Sequence, residues 1–409
     1  MTSDLHLVPK TASNCSKKPA SRYLTAQWIK GIRAGELRLV DPWGTIETSC
    51  SESELKAELV ISDPDFYRQA ISGELGIAES YLAEQWNCSD LTSLFRIILK
   101  NTQTMSSIHE RFRGLARWLT RLRNWRRRNN RRGSRQNIHE HYDLGNDFFQ
   151  LFLDPTMNYS CAIFDDTATS LEQASTLKMK LLCDDLQLKT SDHLLEIGTG
   201  WGALAIFAAR QHGCRVTTTT ISKEQFDHVR LRVLEAGMQD QVTVLQQDYR
   251  DLKGKYDKIV SVEMIEAVGQ RYLPVFFQKC SDLLHPGGRM SLQSILIKDE
   301  HFDNYAKSTD FIREYIFPGG FLPSQQRITE ILKQHGTMGI DGIRDITSHY
   351  VTTLQKWRDR FTGATAQLQR LGFPDRFMRL WKYYFSYCEA GFAERHCTAA
   401  QVVLRKHSA

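Results

Sequence analysis

One short loop has the residue types and spacing to hold a ligand. Glu196-Ile-Gly-Thr-Gly-Trp-Gly202 carries a carboxylate followed by glycines at 198, 200 and 202. The run Leu194–Ile197 is apolar apart from its acid and reads as a short buried strand, and apolar residues recur at helical spacing from Ala203 onward. Strand, tight turn and helix in that order leave unpaired N–H groups at the helix start and let a ligand lie against bare backbone. Two ligand chemistries compete for such a loop, with a plain strand-to-helix turn as the bland alternative. The spacing Gly198, Gly200, Ala203 fits a dinucleotide site, but the ribose-holding acid expected about 20 residues on would fall in Arg215-Val-Thr-Thr-Thr-Thr-Ile-Ser222, which has no carboxylate. Glu196 stands ahead of the first glycine, where it would repel a pyrophosphate and attract the ammonium of an amino acid.

The elements that must position this loop alternate. The sequence predicts a helix at Ser170–Leu186, the glycine strand-turn-helix, a strand at Cys214–Ile221, a helix at Ser222–Ala236, and strands at Val242–Gln246 and Tyr256–Val262. Alternation of this kind specifies a doubly wound α/β fold with a mostly parallel sheet, whose ligands lie over the carboxyl ends of the strands. Those ends are Glu196–Gly202, Thr220–Ser222, Gln247–Tyr249 and Glu263–Glu266. Upstream, strands at Leu37–Gly44 and Leu55–Ile61 and helices at Asp63–Ile71 and Leu91–Leu99 make a smaller α+β domain with no grouping of chemistry-bearing side chains. The chain therefore divides into a polar, disordered tail at 1–20, the α+β domain at 21–110, a linker at 111–137 and a catalytic domain at 138–409.

The linker is the anomaly. The chain carries +6 overall, yet Arg111 to Arg135 holds eleven arginines and no acid. Such a block binds a polyanion, either an anionic membrane face or nucleic acid, or else is a solvated linker. Within it Phe112, Leu115, Trp118, Leu119, Leu122 and Trp125 recur at spacings near three and four. As a helix this would be an interfacial membrane segment or a buried interdomain helix with a basic outer face. Nucleic acid ranks last, because nothing else resembles a nucleic-acid module. No run approaches 18 apolar residues and the amino terminus lacks a signal pattern, so the expected location is the cytoplasm, peripheral at the inner membrane face. Nine cysteines without a C-x-x-C pair indicate neither a disulfide framework nor a metal site.

Seven motifs, in order, then carry a resemblance: His141-Tyr-Asp-Leu-Gly-Asn-Asp-Phe-Phe149, Asp154-Pro-Thr-Met-Asn-Tyr-Ser-Cys-Ala162, the glycine loop, Thr220-Ile-Ser-Lys-Glu-Gln225, Gln247-Asp-Tyr-Arg-Asp-Leu252, Ile259-Val-Ser-Val-Glu-Met-Ile-Glu266 and Tyr315-Ile-Phe-Pro-Gly-Gly320. The acid-x-Gly-x-Gly-x-Gly loop resembles the first motif of S-adenosylmethionine (AdoMet) methyltransferases. Together the seven resemble the cyclopropane-fatty-acyl-phospholipid synthases and their mycolic-acid relatives. The resemblance implies a class I AdoMet-methyltransferase fold. It also implies that AdoMet lies across the strand ends: Tyr159 and Ser160 at the methionine part with Glu196, Gly198, Gly200 and Gly202 giving the backbone room, Thr220, Ile221 and Gln225 at the ribose, and Asp248 with Tyr249 at the adenine.

In that chemistry a cis alkene attacks the sulfonium methyl, and a base then removes a proton from the new methyl, in a site that excludes water. The resemblance implies bicarbonate as that base, cradled by the Cys161 backbone, Glu266, Tyr350 and a histidine, with Cys388 close by as a buried thiol. Relatives commonly carry the histidine where this chain has Gln293, whose amide donates a hydrogen bond but carries no positive charge. Ala267 is a second departure. The implied partners are unsaturated phospholipids of the bilayer, reached through Arg111–Arg135, with no nucleic acid and with the oligomeric state open between monomer and homodimer. A relative that leaves a methylene or methyl branch, a soluble small-molecule methyltransferase, and a non-catalytic AdoMet- or lipid-binding protein are the alternatives.

Overall fold

A computed structural model describes residues 18–48, 53–101 and 144–408. The arginine-rich segment, most of the amino-terminal tail and the start of the His141 motif lie outside the described residues. Contacts divide the chain into two units: one joins the described part of Met1–Arg121 to Thr365–Glu394, the other spans the described part of Leu122–Ala364 and Arg395 onward.

The first unit contains a four-stranded sheet of β1 (Glu36–Asp41), β2 (Gly44–Glu47), β3 (Lys56–Ile61) and β4 (Trp86–Cys88), in the order β2-β1-β3-β4. The single strand expected at Leu37–Gly44 is a hairpin: Pro42 and Trp43 turn the chain, so that Asp41 pairs with Gly44 and β2 runs antiparallel to β1. Asp41 is buried and takes the Arg22 guanidinium and the Tyr67 hydroxyl, which compensates its loss of water. The helix Asp375–Ala393, which chain order would assign to the catalytic domain, groups with these elements. Its Arg379 stacks on Tyr81 at 3.9 Å and donates to the carbonyls of Tyr81 and Trp86 and to Asn87. Beyond that helix, Glu394 accepts from Arg96 at 2.7 Å.

The second unit is built on seven strands: β5 (His193–Ile197), β6 (Arg215–Thr220), β7 (Val242–Gln246), β8 (Tyr256–Val262), β9 (Leu284–Ile297), β10 (Met338–Asp345) and β11 (Cys397–Lys406), in the order β10-β11-β9-β8-β5-β6-β7. From β9 through β8, β5 and β6 to β7 the pairing is parallel, while β11 runs antiparallel to both β9 and β10. This is the doubly wound α/β architecture read from the sequence. Alternation along β5 divides the core: Leu194 joins a cluster with Val216, Val242 and the helices Leu171–Leu186 and Ala203–His212, whereas Leu195 and Ile197 join another with Ile259, Phe276 and Leu292. Strand β5 lies between β6 and β8, so chain order reverses there and the carboxyl ends of β5 and β8 flank the switch point where such sheets bind ligands. No described helix is long and apolar enough to cross a membrane.

Candidate active site

The loop after β5 turns on glycines with positive φ. Gly202 (φ +84) packs so closely that a Cβ would lie 2.8 Å from Val229 Cγ1, while Gly200 (φ +52) faces open space, with no atom within 4 Å of where a Cβ would stand. One glycine thus serves packing and the other leaves room for a ligand against the backbone. Glu196 is buried in β5. Its Oε2 accepts from the Thr218 hydroxyl at 2.5 Å, and burial pushes its carboxyl up to about 8, opposed by that bond and by the charge of Lys178.

Lys178 was not foreseen from the sequence. It is fully buried on the inward stripe of the helix Leu171–Leu186, between Ser175 and Met179, and its ammonium donates to Asn158 Oδ1 at 2.8 Å and Ser160 Oγ at 2.7 Å. A lone charged residue in a mostly apolar stripe was the available signal. Tyr159 is half-buried among aromatic rings, 5.4 Å from Phe149, 5.3 Å from Trp357 and 6.3 Å from Phe317 between centroids. At the end of β6, Thr220 donates to Gln225 Oε1 at 2.8 Å, with Ile221 half-buried between them in sequence. After β7, both oxygens of Asp248 take the Arg250 guanidinium, and Tyr249 packs edge-on to Phe276. The residues assigned to AdoMet thus line the carboxyl ends of β5, β6 and β7 or the Asn158–Ser160 segment beside Lys178.

The carboxylate that gathers the polar groups is Glu263, the first acid after β8. Its Oε1 accepts from the Cys161 backbone N–H at 2.9 Å and from Gln293 Nε2 at 2.9 Å, and its Oε2 accepts from the Tyr350 hydroxyl at 2.6 Å. Burial raises its carboxyl, and Tyr350, Gln293, the Cys161 N–H and the Lys178 charge each oppose that rise. Its backbone sits at φ +47, a region that L-residues with long side chains seldom adopt. The sequence reading gave the role to Glu266, three residues on. Glu266 instead turns one oxygen to the Ile295 N–H (2.6 Å) and the Ser294 hydroxyl (2.9 Å), and its Oε2 is enclosed without a partner. Burial, then the charge of Glu263, push its carboxyl up to about 8. Burial thus raises both neighbouring acids, but their surroundings differ: three donors work against the rise at Glu263, whereas the charge of Glu263 adds to it at Glu266.

Gln293 is fixed end for end. The guanidinium of Arg344, held by Asp185 at 2.8 and 2.9 Å, can only donate and claims the Gln401 side-chain oxygen. The Gln401 amide then faces Gln293 Oε1 at 3.0 Å, which leaves the Gln293 NH2 to face Glu263 and the Cys161 carbonyl. Cys161 is fully buried, its thiol turned to the carbonyls of Ala162 and Ile346, and burial pushes that thiol well up, so it is no nucleophile at neutral pH. Cys388 belongs to the helix Asp375–Ala393 of the other unit. Among the described residues no group of His, Cys, Asp and Glu is arranged to hold a metal.

The open face of Gly200 at the switch point fits AdoMet. A bicarbonate ion fits less well: the N–H of Cys161, the amide of Gln293 and the hydroxyl of Tyr350 are already engaged by a carboxylate of the chain itself.

The family profile described as mycolic acid cyclopropane synthetase matches residues 129–402. The chain belongs to this family. Tuberculostearic acid methyltransferase UfaA1 of Mycobacterium tuberculosis is 38% identical over 90% of this chain and 87% of its own length. The cyclopropane-fatty-acyl-phospholipid synthase of Escherichia coli strain K12 is 35% identical over 86% of this chain and 88% of its own. Among solved structures, mycolic acid cyclopropane synthase CmaA1 complexed with SAH and CTAB superposes with a TM-score of 0.63 at 30% identity, covering 66% of this chain and 98% of that one. As a member of the cyclopropane synthetase family the chain is an AdoMet-dependent methyltransferase with the class I fold. The family's range, from ring-forming synthases to fatty-acid methyltransferases, leaves the product to be argued from the site.

Proposed function

We propose that this enzyme transfers a methylene unit from AdoMet to the cis double bond of an unsaturated phospholipid acyl chain and closes it to a cyclopropane ring. The observation that carries this reading is the pair of deep, differently tuned carboxylates after β8, beside the glycine loop and the aromatic wall around Tyr159. AdoMet supplies an electrophilic methyl on sulfur. An alkene is a weak nucleophile and leaves a cation on the chain, so the protein must exclude water and remove one proton. Phe149, Phe152, Trp357 and Phe317 around Tyr159 supply an apolar surface, and a neutral Glu266 spares Glu263 a second bare anion nearby. The arginine block at 111–135 is the surface by which the enzyme meets anionic lipid in this reading.

A second reading keeps the same first step and ends in a methylene or methyl branch. The 38% identity to a tuberculostearic acid methyltransferase favours keeping it. One experiment separates these. The purified enzyme is incubated with labelled AdoMet and vesicles of a cis-monounsaturated phospholipid, and the released acyl chains are analysed by mass spectrometry and proton NMR. Gain of one carbon and two hydrogens, with loss of olefinic signal and appearance of high-field ring protons, is the expected result. The same mass with terminal methylene signals selects the second reading, and label that never enters lipid refutes both and redirects the search to soluble acceptors.

A further inference from the structure

We infer that the carboxylate of Glu263 is itself the general base of the reaction, built into the chain in place of a diffusible anion. The inference rests on the acyl-alkene reading above and assigns the proton-removing step within it. Three donors from separate parts of the fold converge on this one side chain: a backbone N–H at Cys161, an amide at Gln293 on β9 and a phenol at Tyr350 on the helix Thr347–Gly363. The backbone reaches this arrangement through a left-handed residue, a conformation that persists where surrounding structure over-determines it and that clusters at functional sites. Adjacent Met264 packs against Gly198, so the acid and the AdoMet loop share one wall.

The donors also fit the chemistry. The Arg344–Gln401–Gln293 series forces an NH2 towards Glu263, and Lys178, though burial lowers its own pKa, opposes the rise of the Glu263 carboxyl. Glu266, the other acid at this strand end, has one oxygen fixed by Ile295 and Ser294 and the other enclosed without a partner. Cys161 offers no thiolate. In the step assigned here the alkene π pair forms a bond to the methyl carbon, the C–S bond breaks with its electrons going to sulfur, and the adjacent chain carbon becomes cationic. Glu263 then takes a proton from the new methyl, and the freed C–H pair closes the ring on the cationic carbon. The protonated Glu263 returns its proton to water after the lipid leaves.

The test uses the full chain with AdoMet and cis-monounsaturated phospholipid vesicles, in buffer purged of carbon dioxide and again with added bicarbonate. Wild-type turnover is expected to be the same in both, a result that needs no variant. Glu263→Gln is expected to lose about a hundred- to ten-thousand-fold in turnover while AdoMet affinity and thermal midpoint stay near wild type. Any residual AdoMet consumption is expected to release lipid in which the cation has instead lost a chain proton to solvent or captured water, giving a methyl-branched alkene or alcohol in place of the ring, a signature that a purely structural defect would not produce. Glu263→Gly, which empties the cradle and relieves the backbone, is expected to regain part of the activity with formate or bicarbonate. Wild-type turnover that collapses without bicarbonate, or a Glu263→Gln enzyme within about tenfold of wild type, overturns the assignment. A wild type that methylates no lipid at any bicarbonate concentration refutes the acyl-alkene reading instead.

Discussion

Removing the Tyr350 hydroxyl tests how Glu263 is tuned. In Tyr350→Phe the 2.6 Å bond to Glu263 Oε2 is lost, while the ring keeps its edge-on contact with Trp357 at 6.3 Å. A hydrogen bond to a charged group contributes about 1.5–3 kcal/mol, and one pKa unit corresponds to about 1.4 kcal/mol. The bond favours the charged form, so its loss should raise the Glu263 pKa further, by the equivalent of that bond energy. The bonds from Cys161 and Gln293 remain, which places the expectation at the lower end. A base works only when deprotonated, so the acid limb of kcat/KM moves to higher pH, and activity lost on its acid side returns in part as pH rises. The assay is label transfer to vesicles across pH 6–9.5, with AdoMet affinity measured in parallel. An acid limb that stays in place, with activity lowered equally at every pH, would refute the account of Tyr350 as the group that holds Glu263 ionised.

Other expectations follow from the same geometry. Gly202→Ala sets a methyl 2.8 Å from Val229 at φ +84, and should destabilise by about 1–3 kcal/mol, read as a lower thermal midpoint. Gly200→Ala meets no atom of the chain, so its main effect should be weaker AdoMet binding by calorimetry. Glu266 has a folded-state pKa of about 8, above the unfolded value of about 4.3, so the folded state binds the extra proton and stability declines as pH rises between those values. Glu266→Gln removes that term, and its thermal midpoint should fall less than that of the wild type between pH 5.5 and 8.5; an unchanged slope would contradict the assignment. Replacing Arg126, Arg127 and Arg128 should weaken binding to anionic vesicles by about a hundredfold at low salt, at roughly 1 kcal/mol per arginine. The difference should shrink as salt is added, whereas equal affinity at low salt would make the segment a linker.

Local pattern made the parallel half of the sheet legible. Strands β7 and β8 have the bounds read from the sequence, and the helices between the strands differ by a residue at their ends, because period, caps and glycines are local signals. The antiparallel half was not legible. Strand β9 begins with Leu284-His-Pro-Gly-Gly288, which reads as a turn, and its partner β11 lies more than a hundred residues later. The same limit hid Glu263. The run Val262-Glu-Met-Ile-Glu266 offers two acids, and the resemblance pointed to the second. What selects the first is the left-handed turn after β8, which aims it at Tyr350, 87 residues on. Lys178 was visible only as a misfit in an apolar stripe, and its partners Asn158 and Ser160 come from a loop without regular structure.

The grouping of the helix Asp375–Ala393 with the amino-terminal sheet bears on how the polypeptide is made. A ribosome delivers β1 to β4 early, but the side chains that tie down Tyr81, Trp86 and Arg96 arrive only with Arg379 and Glu394. The smaller unit therefore stays incomplete until Glu394 has emerged, and β11, which follows it, must insert between β9 and β10 of the other sheet. Long-range closures of this kind slow folding and leave strand edges exposed meanwhile. Cutting the chain once anywhere between residues 144 and 364 would strip the helix from one unit and β11 from the other, so neither half should fold as a free-standing fragment.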